Sequence, residues 1–494
     1  MIGVSGVSAR LFGCLANSAI NVILITQASS EHSITFAVAP EHSQLAEKAI
    51  TEEFHYEIQA GRIDTPKIKG NLAVVAIIGE NMMNTSGISG RMFSSLGKNG
   101  INNIAIAQGS SELNVSTVIN KSDLSKALNA LHDAFFLGES KTLNVFMVGP
   151  GLIGATLLKQ IHQQAEVLKN KLSLTLKVVA IANSRNFITN TEGLDLSNWK
   201  ETLESSSKEM SFRTFVDLMK DYNLPNSVFV DNTSNKEIAE YYEEILANAI
   251  SIVTPNKIAN SGPYTRYEAL KNASQLAGSS FLYETNVGAG LPVINTLQGL
   301  IHSGDDVLKI EGVLSGSLSY IFNTYDGSTS FKDVVLQAKE AGYTEPDPRD
   351  DLNGMDVARK ILILSREAGY KLEPEDIDVK NILPQPCIDA ESVDQFFEEL
   401  EKADGTFNAM IKEAQNKNEK LCFIASMENG KATVSLQAVD QNHPFFSLSG
   451  SDNMISYTTD RYKANPLVIK GPGAGAEVTA AGVFADIIKI STEG

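Results

Sequence analysis

Asp356 and Lys360 stand four residues apart in the segment GYTEPDPRDDLNGMDVARKILILSREAG, residues 342–369. On a helix that spacing puts a carboxylate and an ammonium group on one face. Glu345 lies on the loop leading in, where Pro346 and Pro348 restrict the backbone. Two carboxylates and one ammonium group brought together can hold a zwitterionic amino acid and move a proton. Taken alone, the pair reads as an ordinary surface ion pair worth ~0.3–0.5 kcal/mol. The elements around it in the chain give it another meaning.

Upstream lies LNVFMVGPGLIGATLLKQI, residues 143–161. Its apolar run 143–148 reads as a buried strand. The run breaks at Gly149-Pro150-Gly151-Leu152-Ile153-Gly154 and continues as a helix. This is G-x-G-x-x-G in a strand–turn–helix context. Gly149 permits a tight turn, Gly151 lets a pyrophosphate approach the backbone, and Gly154 lets helix and strand close up. The helix N-terminus offers unpaired N–H groups to the phosphates. Dinucleotide binding is the expectation.

The acid usual at the end of the second strand is missing. Residues 174–186 read as that strand, ending in Asn183-Ser184-Arg185, and Asn183 comes 34 residues after the first glycine. The usual distance is about 20. With no carboxylate for a ribose 2′-OH, Arg185 suits a 2′-phosphate, which favours NADP or use of both NADP and NAD. The alternative is a solvated loop arginine. Two further apolar runs, 228–235 and 249–260, end in small polar residues. They suit strands whose carboxyl ends line a ligand crevice. Thr233, Ser234, Thr254 and Pro255 are expected near the nicotinamide. Lys257, just past a strand end, can reach a reacting centre, although alone it reads as a surface lysine.

VTPNKIAN, YETNVGAGLPVI, GVLSGSLSYIFN and AGYTEPDPRDDLNGMDVARK follow the glycine motif in this order. Together they closely resemble homoserine dehydrogenase, from about residue 143 to the C-terminus. The long acid-rich motif is not a generic dehydrogenase signature. The resemblance implies reduction of aspartate 4-semialdehyde to homoserine with NAD(P)H. It implies Lys360 as general acid/base, Lys257 as a second active-site lysine, and Glu345 and Asp356 as substrate-binding carboxylates. It also implies a structural sodium site at Glu284 with the carbonyls of Val287, Ala289 and Leu291, and Gly342 beside the cofactor. VIKGPGAGAEVTAAGVFADII, residues 468–488, resembles the family's closing segment, where the chain returns to the nucleotide part and Gly473 and Gly475 pass near the cofactor. The chemistry agrees. The cofactor carries the hydride, so the protein must position, polarise and protonate; a lysine can protonate and stabilise the developing alkoxide. No metal Lewis acid is required.

The first ~138 residues are a duplicated module. Residues 7–38 align with residues 88–119, and Gln27 pairs with Gln108 at an offset of 81. Each copy reads helix, turn, alternating strand, polar turn, strand, then a second helical pattern. That βαββα-like unit is similar to the ACT domain, and the pair resembles those of fused aspartokinase–homoserine dehydrogenases. The resemblance implies threonine or a related amino acid as effector, with Gln27 and Gln108 contributing to its sites. The alternative is two exposed glutamines at strand ends. No kinase sequence precedes Val7, which is the pattern of an engineered fragment or of a natural protein lacking the kinase.

The expected fold is α/β. A Rossmann-type nucleotide-binding domain (142–281) adjoins an α+β substrate and dimerisation domain (282–457). A tandem pair of βαββαβ ACT-like domains (1–138) comes before them, and a C-terminal segment (458–494) returns to the nucleotide domain. Residues 135–142 form the hinge. The net charge of −18 disfavours nucleic acid and anionic membranes as partners. No apolar stretch is long enough to span a bilayer, and no signal peptide opens the chain. Cys14, Cys387 and Cys422 are scattered, which suits reduced thiols in the cytoplasm. The partners expected are a small-molecule substrate, an amino-acid effector and further copies in a homodimer or homotetramer. The rival readings are an amino-acid sensor with a vestigial dehydrogenase part, and an oxidoreductase of an unrelated semialdehyde.

Overall fold

In the computed structural model, residues 6–27, 33–136 and 141–492 are described. The chain divides into two units, residues 1–140 with 223–226, and residues 141–222 with 227–494. Of the expected hinge, residues 137–140 lie outside the described residues.

In the first unit the helix Val7–Asn17, strands Val22–Gln27 and Ile34–Val38 and helix Ser43–Glu53 recur as Ile88–Lys98, Ala105–Gln108, Asn114–Asn120 and Leu124–Phe135. Repetition reaches the backbone angles. Gly6 and Gly87 are both left-handed before the first helix, and Ala19 and Gly100 are both left-handed after it. Strand Leu72–Ile78 gives the second copy a leading strand and pairs antiparallel with Asn114–Asn120. The second copy thus reads βαββα; the first, among the described residues, reads αββα. Val7, Leu11 and Leu15 recur every fourth residue on one helix face and bury against Ile50 and Phe54. Met92 and Leu96 do the same in the second copy, in one core with Leu131 of its second helix.

The second unit is built on two six-stranded sheets. The nucleotide sheet runs, edge to edge, Phe281–Leu282, Ser251–Val253, Ser227–Asp231, Lys141–Val148, Leu174–Ala182 and Phe187–Thr189. Its pairs are parallel except at the last strand, which turns back antiparallel and was not anticipated from the sequence. Residues 183–186, read as the end of the second strand, form instead the turn between Leu174–Ala182 and Phe187–Thr189. The central strands are apolar on both faces, as burial beneath helices on both sides requires. Ala480, Val483 and Ile487 of the C-terminal helix Ala476–Thr492 share a core with Val145, Leu157 and Ile161. That helix comes very close to the loop after the sheet: a Cβ on Gly482 would stand 2.5 Å from Thr285 Cγ2, and one on Gly290 would stand 2.6 Å from the Val478 carbonyl oxygen.

The other sheet is ordered Ile377–Val379, Lys431–Val439, Lys420–Glu428, Val307–Val313, Asp452–Thr459, Leu467–Pro472. Only its first pair is parallel. The helix Met355–Glu367 packs under it, and all but four of its residues are buried. Gly354 starts that helix at φ 73°, and a Cβ there would press on Phe423 at 3.0 Å. Among the described residues, no helix is long and apolar enough to cross a membrane.

Candidate active site

Strand order in the nucleotide sheet reverses between Lys141–Val148 and Ser227–Asp231, and ligands of such sheets bind at that switch. The glycine loop leaves the first of these strands. Gly149 has φ 79°, and a Cβ there would stand 2.8 Å from Thr233 Cγ2. A Cβ on Gly154 would stand 2.3 Å from the Gly149 carbonyl oxygen, whereas one on Gly151 would meet nothing within 4 Å. Two glycines therefore serve close packing, and Gly151 leaves the backbone open at the start of helix Leu152–Leu172. Unpaired amides and the helix dipole suit a phosphate there. Leu152 is exposed at the rim, while Ile153 packs on the core. These residues fit a dinucleotide.

After the next strand, the Asn183 side-chain oxygen accepts N–H bonds from Arg185 and Asn186, each at 2.8 Å. This side-chain turn leaves Ser184 and Arg185 exposed.

At the end of strand Ser227–Asp231 is a buried network that sequence reasoning missed. Asp231 accepts the Tyr242 hydroxyl at 2.5 Å, Asn256 Nδ2 at 3.1 Å and the Thr233 amide at 2.8 Å. Burial pushes the Asp231 carboxyl up, and burial also pushes the Tyr242 phenol up. Thr254 donates its hydroxyl to the Asp231 carbonyl at 2.8 Å and is fully buried. Its side chain is thus engaged within the protein, while Thr233 and Pro255 are half-buried and Ser234 is exposed.

Lys257 follows in the same loop and starts the short helix Ile258–Ser261. Its Nζ lies 3.4 Å from Asp356 Oδ1. Asp356 Oδ2 lies 2.7 Å from Lys360 Nζ, as the four-residue spacing predicts. Lys360 also donates to the Leu314 carbonyl at 2.7 Å, a partner no local pattern announces. Burial lowers the Lys257 pKa; Lys360 and Arg359 push the same way and Asp356 opposes. Burial alone would raise the Asp356 carboxyl, but the two lysines outweigh it and hold it well below the usual carboxylate range.

Glu345 is exposed, and among the described residues no hydrogen bond or ion pair joins its carboxylate to this trio. Its backbone amide donates to Asp351 Oδ2 at 2.8 Å, and Ser317 donates to Asp351 Oδ1 at 2.7 Å. Burial raises the Asp351 carboxyl. Asp351 is thus a carboxylate of the acid-rich motif that sequence reasoning passed over. Gly342 stops helix Phe331–Glu340 at φ 76°, where its amide bonds to the Lys339 carbonyl. Gly473 crosses Asn453 so closely that a Cβ would overlap its side chain, and Gly475 has φ 118° before the C-terminal helix.

The Glu284 carboxylate accepts the Ile294 amide at 2.6 Å and the Asn295 amide at 2.8 Å, both at the start of helix Val293–His302. Burial raises its pKa. In the first unit, Gln27 and Gln108 end matching strands and are exposed. Ser89 donates its hydroxyl to Gln108 Oε1 at 2.8 Å.

Known proteins share this plan. An ACT-domain model matches residues 1–54 and 75–135. A model of the homoserine dehydrogenase NAD-binding domain matches residues 149–284, and one of homoserine dehydrogenase matches residues 292–488. The chain is 44% identical over 495 residues to a chloroplastic bifunctional aspartokinase/homoserine dehydrogenase of Arabidopsis thaliana, covering 100% of this chain and 54% of that protein. It thus spans about half the length of the curated relatives it matches. A hyperthermophilic archaeal homoserine dehydrogenase in complex with NADPH is similar in structure, with a TM-score of 0.56 at 25% identity, covering 72% of this chain and 99% of that one. The homoserine dehydrogenase of Schizosaccharomyces pombe is 42% identical over 361 residues, covering 71% of this chain and 96% of that protein. The glycine loop and the NAD-binding match make this a nicotinamide-cofactor site. Similarity that runs through the glycine loop, the two lysines and the acid-rich helix, over nearly the whole of such a relative, means that the chain belongs to the homoserine dehydrogenase family.

Proposed function

We propose that the chain reduces L-aspartate 4-semialdehyde to L-homoserine with NAD(P)H, and runs the reverse reaction, on the route to threonine, methionine and isoleucine. The supporting observation is the Lys257–Asp356–Lys360 cluster beside the carboxyl ends of the nucleotide sheet. A bound nicotinamide supplies the hydride. Lys360 has three N–H donors and spends two on Asp356 and the Leu314 carbonyl. The third donates to the aldehyde oxygen and protonates it as the alkoxide develops. Asp356 orients Lys360 and, with Glu345, answers the substrate's ammonium group. Lys257 adds positive charge at the reacting oxygen.

Arg185 takes a 2′-phosphate and tilts preference to NADP. Gly342, Gly473 and Gly475 are assigned to the cofactor side of the crevice. Glu284 with the Val287, Ala289 and Leu291 carbonyls is an all-oxygen donor set of the kind hard cations take, and a structural sodium ion is assigned there. A cation held there would share the Glu284 carboxylate with the two helix amides it already accepts. The ACT pair binds threonine or a related amino acid at Gln27 and Gln108. The working form is a homodimer or homotetramer, and three unpaired cysteines suit a reducing compartment such as the cytoplasm.

The test is oxidation of homoserine by NADP and by NAD, with and without threonine. Turnover with homoserine supports the reading. A folded protein that turns over neither direction overturns it in favour of an amino-acid sensor.

A further inference from the structure

Arg366 lies on the same helix as Asp356 and Lys360, and its side chain is fully enclosed. A buried guanidinium needs partners for its five donors. Arg366 donates to the Asn260 carbonyl at 2.7 Å and the Gly262 carbonyl at 2.7 Å. Its Nε and Nη2 also donate to the Leu372 carbonyl, at 3.0 and 2.8 Å. Tyr264 and Tyr267 flank it, each ring centroid 5.6 Å away, and the Glu373 carboxylate stands 3.7 Å off.

Asn260 and Gly262 are the end of the turn that Lys257 begins. The Lys257 carbonyl accepts the Asn260 and Ser261 amides and the Ser261 hydroxyl. The other side of the turn is tied by Asn260 Nδ2 to Asn286, whose own amide donates to the Thr254 carbonyl. The turn is therefore held to its own sheet by Asn260 and to the lysine-bearing helix by Arg366. Nothing else that bonds the turn's backbone comes from that helix among the described residues.

We infer that Arg366 is a positioning residue, which fixes the Lys257 turn against the helix carrying Asp356 and Lys360 and so sets the spacing of the two ammonium groups about one carboxylate. The inference rests on the dehydrogenase reading above. Its logic is geometric. A rigid planar fork of five donors holds three separated carbonyls in a fixed geometry, whereas an ammonium offers three donors from a single point on a flexible stem. Displacing a catalytic group by 1 Å costs on the order of 100-fold in rate.

The experiment is a double-mutant cycle of Arg366→Lys with Lys257→Met, read as kcat and KM for homoserine. Arg366→Lys alone should lower kcat ~10–100-fold. In the Lys257→Met background the same change should have little further effect, because the group it places is gone. Lys257 should also become several-fold more reactive to amine acylation in Arg366→Lys, read by mass spectrometry, while buried Lys126 stays protected. Lys257 faces Asp356, Lys360 and Arg359, so its release should also move the alkaline limb of the kcat profile upward. Independent, additive effects with unchanged Lys257 labelling overturn the inference. If Arg366→Lys does not fold, Asn260→Ala cuts the turn's other tie and must couple to Lys257 in the same way; additivity there overturns it equally. A wild-type protein that does not oxidise homoserine strikes at the proposed function instead, and the labelling result still stands as the measure of Arg366.

Discussion

Asp356 stands between Lys257 and Lys360, one carboxylate oxygen 3.4 Å from the first and the other 2.7 Å from the second. Lys257 follows a strand of the nucleotide sheet, and Asp356 opens a helix beneath the other sheet. The carboxylate is therefore a mechanical joint as well as a charge. Its negative charge is the only one contacting either ammonium group among the described residues.

Lys360→Ala should lower kcat by ~10²–10⁴-fold, the scale for loss of a positioned acid/base group. Homoserine binding should change less. Near-native kcat in the folded variant would sink the assignment.

The carboxylates should separate by kinetic signature. Glu345→Gln should raise KM for homoserine and leave kcat nearly intact, since among the described residues no ion pair or hydrogen bond joins its carboxylate to either lysine. Asp356→Asn should damage both, because two ammonium groups lose their shared counter-charge. Steady-state kinetics of the two variants decide it, and unchanged constants in both rule out a substrate role.

Lys257→Met trades activity for stability. The folded pKa of Lys257 is depressed, chiefly by burial, so the charged form is disfavoured in the native state. The native protein binds fewer protons than the unfolded chain, and stability falls as pH drops below the unfolded value of about 10.4 through the folded pKa. The penalty grows as pH falls from about 10.4 toward the folded pKa. The variant should melt no lower than wild type at pH 7, with the difference shrinking above pH ~10. A clearly lower Tm at pH 7 contradicts the sign.

Arg185→Ala should weaken NADPH ~10–100-fold and NADH much less, the scale of one charge-assisted contact. Titration of both cofactors by fluorescence suffices. An equal loss for both means that Arg185 only shapes the turn.

Calorimetry should detect threonine binding that weakens in Gln27→Ala and Gln108→Ala. Ser89→Ala should weaken the second site alone, since Ser89 orients the Gln108 side chain. Activity responds only if the effector has different affinities for two states of the whole protein. No heat with threonine, lysine, methionine or isoleucine reduces the ACT pair to a structural role.

What the sequence revealed was local. Gly149 and Gly154 lie where a side chain would collide with the backbone or Thr233, so their spacing carries the turn's geometry directly. Asp356 and Lys360 share a helix face because the helix has the expected register. The duplication was legible because residues 7–38 and 88–119 align side chain by side chain, and both copies keep the same left-handed positions. What stayed hidden was tertiary. Asp351 looks like one more acid in an acidic loop until Ser317, from another element, reaches it. Arg366 looks like a last-turn cation until three carbonyls converge on it. Thr254 sits at a strand end as expected, but Tyr242 and Asp231 draw its hydroxyl inward.

The C-terminal helix also sets an order of events. Its Ala480, Val483 and Ile487 complete the core begun by Leu143 and Val145, and Gly482 lets it settle against Thr285. During synthesis the nucleotide sheet leaves the ribosome long before its final layer exists. Leu157 and Ile161 then lack part of their cover, and an early sheet with an uncovered apolar flank is the kind of species that chaperones hold and that aggregates when they do not. Protease protection of a stalled nascent chain should thus appear in the ACT copies first, and in the glycine loop only after Ile487 has emerged.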